Sequence, residues 1–198
     1  DFHCLRSVPA VLRSSAGELT VLASDKEILG FEEGNTTERN YGVAVDIGTT
    51  TVVAYLYDLH SGAFVGVDSS LNGQRSFGAD VVSRIDHALE DSTGLQHLQQ
   101  AIIQTIDALI EKLCASYGLS GEDIYTVVLV GNTPMHHFFW GIFPTFLTRF
   151  PYNPLTTKTL SIPARDTGLR INPFGRVISL PLISGFVGSD TVAVVLST

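Results

Sequence analysis

Three apolar runs joined by two very short turns leave this chain little choice of fold. Gly42 to Ile47, Thr50 to Leu59 and Ala63 to Leu71 each read as a strand. His60-Ser61-Gly62, between the last two, is a short glycine-bearing hairpin loop. Sequential strands on such short connections must be antiparallel neighbours. The hydrophobic period then changes. Val81, Val82, Ile85, Ala88 and Leu89 mark one helical face, and Leu98, Ala101, Ile102, Ile106, Leu109, Ile110 and Leu113 mark another at i, i+3, i+4 spacing.

Ile124 to Val130 is a continuous β-branched run, as a fully buried parallel strand should be. Thr133-Pro134 then opens a helix over MHHFFWGIF, with threonine as the cap and proline at the first helical position. The stretch 144–176 holds five of the eight prolines and no clear period, so it is read as extended segments and loops. Val177 to Ile183 is a further strand, and a helix follows from about Ser189. The order β-β-β-α-β-α-β-α predicts an α/β fold of ribonuclease-H-like type: a mixed five-stranded sheet with flanking helices. Upstream, Glu18 to Ala23 and Glu27 to Glu33 read as two short strands about a Ser24-Asp25-Lys26 turn. Residues 1–40 are therefore expected to be the edge of a small β-containing domain and a linker, and 41–198 the main unit.

The chain is 198 residues long, with 44% apolar and 16% charged residues, which suits a packed globule rather than disorder. A net charge of −8 and the absence of a basic stripe argue against a nucleic-acid reader. Cys4 and Cys114 match no zinc or iron–sulfur spacing, and are read as one surface or linker thiol and one core thiol. No secretory signal or membrane-length apolar run is present, so the cytoplasm is the expected compartment. The chain starts without methionine and stops inside an apolar helix pattern, from which an excised piece of a longer protein is expected.

The turn Asp46-Ile47-Gly48-Thr49-Thr50-Thr51 carries the chemistry. A strand-end carboxylate, a glycine that permits close approach and a row of hydroxyls beside backbone amides suit a phosphate and its Mg²⁺ ion. The turn joins two strands and no lysine follows, so it is not a Walker loop. An ordinary hairpin whose Asp and Thr side chains satisfy the turn backbone reads equally well. Asp190, after Gly188 and Ser189, suits either a carboxylate facing a cleft or a helix start. Asn132 and Thr133 suit a cap and turn, or a cleft wall near nucleotide or partner. Asp80 suits a first-turn dipole partner, and Gln74 a loop or a water-ordering group. His136 and His137 are neighbours on one helix and point about 100° apart, which excludes a shared metal and leaves core packing.

The stretches YGVAVDIGTTTVVAYLYDL, Asn72-Gly73-Gln74, GADVVSRI, GNTPM and LPLISGFVGSDTVA occur in that order. The hairpin in its β-β-β-α-β-α-β-α setting resembles the first phosphate loop of the actin, sugar-kinase and chaperone-type ATPases. The five motifs in series resemble the carboxy-terminal domain of the reductive activators of corrinoid proteins. That resemblance implies that 41–198 is the first subdomain of an ATP-dependent activator that reduces Co(II) corrinoid protein to Co(I). It implies ATP and Mg as cofactors, with Gly48, Thr49, Thr50, Thr51, Asn132 and Gly188 around the nucleotide. Asp46 would hold the metal through water, and Asp190 would act as base or orient a water. Electrons would come from a ferredoxin-like [2Fe–2S] domain, and the adenosine pocket from a second half-domain, neither of them in this chain. The implied partners are the corrinoid protein of a methyltransferase system and, as a homodimer, a second copy. Two alternatives stay open: a small-molecule kinase of the same superfamily, and a nucleotide-inert module that docks a corrinoid protein.

Overall fold

The computed structural model describes residues 2–14, 17–24, 27–185 and 187–197. The core is a mixed sheet with helices against it, as the hydrophobic periods predict. β3 (Tyr41–Ile47), β4 (Thr51–Asp58) and β5 (Phe64–Leu71) form the antiparallel meander. β6 (Ile124–Gly131) joins β3 in parallel, β8 (Arg176–Ser179) joins β6 in parallel, and β7 (Leu160–Pro163) closes the far edge antiparallel to β8. The spatial order is β5-β4-β3-β6-β8-β7, a six-stranded sheet where five strands were expected. The additional strand is β7, which lies in the proline-rich stretch read as loop. It is four residues long and ends on Pro163, and proline is tolerated at a sheet edge where no ladder donor is required.

Strand alternation sorts the two faces. Val43, Val45 and Ile47 of β3 and Val52, Ala54 and Leu56 of β4 are all buried on the core side. They pack with Ile85 of α2 (Val81–Glu90), with the Leu98, Ile102, Ile106 and Ile110 stripe of α3 (Gly94–Ser116), and with Met135, Phe138 and Phe139 of α4 (Thr133–Trp140). Truncating Ile102 or Ile106, both fully buried, to alanine would cost about 2–5 kcal/mol. Asp46 therefore emerges on the opposite face of β3, in register with Val53 and Val130. Along β6 burial alternates rather than running continuous, because Val128 and Val130 on that same face are only half-buried.

The helix opened by Pro134 is capped one residue earlier than expected. Asn132 is the N-cap, its side-chain oxygen accepting from the Met135 amide at 3.1 Å, and Thr133 is already helical. Asp80 caps α2, in a reciprocal capping box with Ser83. The last helix, α5 (Ser189–Ser197), starts where the sequence placed it.

Upstream, α1 (Phe2–Ser14) precedes an antiparallel pair, β1 (Leu19–Ser24) and β2 (Glu27–Glu33), which forms a sheet of its own. Of its expected turn, residues 25 and 26 lie outside the described residues. The Phe174 ring sits against Gly30, where a Cβ would lie 2.2 Å from the ring. Glu32 accepts from Tyr125 Oη at 2.7 Å and from Asn172 Nδ2 at 2.7 Å, fastening the hairpin to the larger sheet. Cys4, expected near the surface, is buried, and its thiol faces the Leu29 carbonyl at 2.7 Å. No helix among the described residues is long and apolar enough to cross a membrane.

Candidate functional site

The turn between β3 and β4 has two chemically different sides. Asn72 Nδ2 donates to the Gly48 carbonyl at 2.9 Å, Arg84 Nη2 to the Thr49 carbonyl at 2.6 Å and the Asn72 amide to the Thr50 carbonyl at 2.9 Å. All three acceptors are thus held inward. The amides of Thr49 and Thr50 and the hydroxyls of Thr50 and Thr51 make no hydrogen bond to a described residue, and both Thr50 and Thr51 are exposed. A loop whose carbonyls are tied back while its N–H and O–H groups are left unpaired offers donors, which suits an anion rather than a cation. Gly48 is required by close packing: a Cβ there would lie 2.5 Å from the Thr51 carbonyl.

Arg84 is the side chain that the sequence reading leaves without a role. It is fully buried, and it also donates from Nε to the Gly78 carbonyl at 3.0 Å. Burial lowers its pKa, and the negative charge of Asp80 opposes that shift. Gln74, expected on a loop or beside a water, is instead buried, with Nε2 donating to the Leu98 carbonyl at 3.0 Å. Nothing in the hydrophobic pattern distinguishes these polar residues from surface ones; the only signal was the repeated polar–glycine texture of Asn72 to Asp80.

On the other side of β3, Asn132 Nδ2 donates to Thr49 Oγ1 at 3.2 Å, so the β6–α4 junction touches the hairpin directly. Gly188 lets the start of α5 close on the end of β6, where a Cβ would fall 2.1 Å from the Gly131 carbonyl. Ser189 completes the junction. Its buried hydroxyl accepts from the Gly131 amide at 3.2 Å and lies 2.6 Å from His136 Nε2. Burial, then the neighbouring His137, push the His136 pKa down to about 4, so a neutral ring faces that hydroxyl. His137 turns elsewhere, with Nδ1 2.9 Å from the Thr133 carbonyl.

This packing brings Asp190 within electrostatic reach of Asp46. The Asp46 carboxyl is raised above the usual carboxylate range, first by desolvation at the sheet end and then by the negative charge of Asp190. Asp190 itself is half-buried, one oxygen accepting from the Thr191 amide at 2.8 Å. The residues singled out in sequence, Asp46, Gly48 to Thr51, Asn132, Gly188 and Asp190, therefore gather at one end of the sheet. Asp80 stands apart as a cap whose carboxylate is lowered by the Ser83 amide and hydroxyl.

Residues 41–198 match the family described as the RACo middle region. The chain is 42% identical over 179 residues to the corrinoid activation enzyme RamQ of Eubacterium limosum, covering 90% of this chain and 30% of that protein. A solved structure, a reductive activator for corrinoid, iron-sulfur protein, superposes with a TM-score of 0.90 at 36% identity, over 99% of this chain and 32% of that one. The chain spans about a third of the length of these relatives.

Proposed function

The chain belongs to the RACo family, as its middle region, and from that premise we propose that it forms one phosphate-gripping wall of an ATP site in a reductive activator of corrinoid proteins. The observation that carries this reading is the two-sided hairpin: three carbonyls held by hydrogen bonds, amides and threonine hydroxyls left unpaired among the described residues. Thr49 and Thr50 amides and the Thr50 and Thr51 hydroxyls contact phosphate oxygens, and Gly48 keeps the backbone close enough to do so. Asn132 and Gly188 form the adjoining wall. Asp46 binds Mg²⁺ through its water shell, which fits one strand-end carboxylate beside phosphate. The like charge between Asp46 and Asp190 supports that assignment, since a magnesium-bearing phosphate relieves it. Asp190 orients the attacking water.

In the whole protein, nucleotide would shift the balance between two arrangements of the ATPase, and that shift would bias the cobalt environment of the partner corrinoid protein toward accepting an electron supplied by a [2Fe–2S] domain. The test is calorimetry with Mg·ATP on the full-length protein and its Asp46→Ala variant, beside the ATP-dependent appearance of Co(I) in the visible spectrum. The variant is expected to lose affinity or turnover by on the order of a hundredfold. Equal binding and equal Co(I) yield in both proteins would overturn the reading.

A further inference from the structure

Away from the hairpin, the corner between α2 and α3 gathers two histidines and an aspartate. His87 lies in the last turn of α2, Asp91 is its C-cap, and His97 lies in the first turns of α3. Gly94 makes the corner tight: a Cβ there would sit 2.1 Å from the His87 carbonyl, so only glycine lets α3 start this close to α2. The three side chains each offer a ligand atom, all within 4.8 Å of one another. His87 Nε2 and His97 Nδ1 are buried and have no hydrogen-bond partner among the described residues. Buried ring nitrogens left unpaired are costly, and two together need an explanation. Asp91 uses only Oδ1, which accepts from the Thr93 amide and hydroxyl at 2.8 Å each. Phe77 stacks on both rings, at 5.1 Å and 5.5 Å between centroids, and fixes their planes.

We propose that His87, Asp91 and His97 bind a divalent transition metal of the zinc class, with a fourth position left to water. Two imidazoles and a carboxylate suit such an ion, whereas magnesium and calcium favour all-oxygen sites. Tetrahedral coordination sets ligand atoms roughly 3.3 Å apart, so small side-chain rotations close the triad. The bound ion clips the end of α2 to the start of α3, on the helix whose Arg84 holds the phosphate hairpin. The site shares no residue with that hairpin, so it stands or falls independently of the nucleotide reading.

The test is titration of chelator-stripped full-length protein with Co(II) and Zn(II). The expected result is saturable binding with the intense visible bands of tetrahedral cobalt, displaced by zinc, and a Zn(II)-dependent rise in Tm. Both signals should fall at least about tenfold in apparent affinity in His97→Ala and in Asp91→Asn. Asp91→Asn keeps an acceptor for the Thr93 amide, so it reports on the ligand even if His97→Ala misfolds. No saturable cobalt spectrum, or one unchanged by Asp91→Asn, overturns the site.

Discussion

His136 Nε2 and Ser189 Oγ, 2.6 Å apart and both buried, join the helix after β6 to the helix after β8. Because Ser189 also accepts from the Gly131 amide, this contact sets the distance at which α5 stands from the sheet. It depends on a neutral imidazole. Folded His136 titrates near 4 against an ordinary value of 6.5, so it contributes stability that is complete above the ordinary value and is lost as pH falls from there toward 4. Urea unfolding at pH 7.5 and at pH 4.5 should therefore differ by on the order of 2–3 kcal/mol from this residue. His136→Gln should flatten that part of the profile; an equally steep profile in the variant would remove the assignment.

Asp46 has the opposite sign. A carboxyl whose folded pKa is raised makes the fold less stable as pH rises through the window above its ordinary value, because the folded state then holds the extra proton. Asp46→Asn should accordingly raise Tm at pH 7 by about 1–3 °C, a small effect because the side chain is exposed and solvent screens it. The same variant should lose nucleotide-dependent activity in the full-length protein. Scanning calorimetry beside an ATPase assay checks both; a lower Tm would contradict the like-charge account.

Arg84 ties the hairpin to the segment before α2, donating from Nη2 to the Thr49 carbonyl and from Nε to the Gly78 carbonyl through two nitrogens of one planar group. A lysine keeps the charge but cannot make that fork. Arg84→Lys should lose about 2–4 kcal/mol in urea denaturation and free the Thr49 carbonyl. If Arg84→Lys unfolds at the wild-type midpoint, the hairpin is held by something else.

Gly188→Ala places a methyl 2.1 Å from the Gly131 carbonyl, a backbone atom that cannot step aside. The start of α5 must lift from β6, at about 1–3 kcal/mol. Hydrogen exchange should show faster exchange across Ser189–Ser197 while β3 and β4 stay protected. Unchanged protection there would mean the junction is looser than its geometry.

The meander, both long helical stretches and the DIGTTT turn were legible in the chain because each announces itself by local period or turn chemistry. β7 was not, since four residues ending on proline carry no period and become a strand only by pairing with Arg176 to Ser179. α1 carries Pro9 in its interior, which argues locally against a helix. Arg84, Gln74 and Asn72 read as surface residues in any hydropathy pattern, yet all three are buried.

By itself the sequence determined the strands of the meander, β6 and the helices α2 to α5, and most of the residue types at their ends, because backbone periodicity and turn geometry act over a few neighbours. Only the tertiary structure decided that Asp46 lies within electrostatic reach of Asp190, that Arg84 holds Thr49 and that two histidines meet across a corner. Those relations depend on which sheet face the core claims and on glycines at Gly94 and Gly188 that let distant backbone close to contact, and no local pattern encodes either.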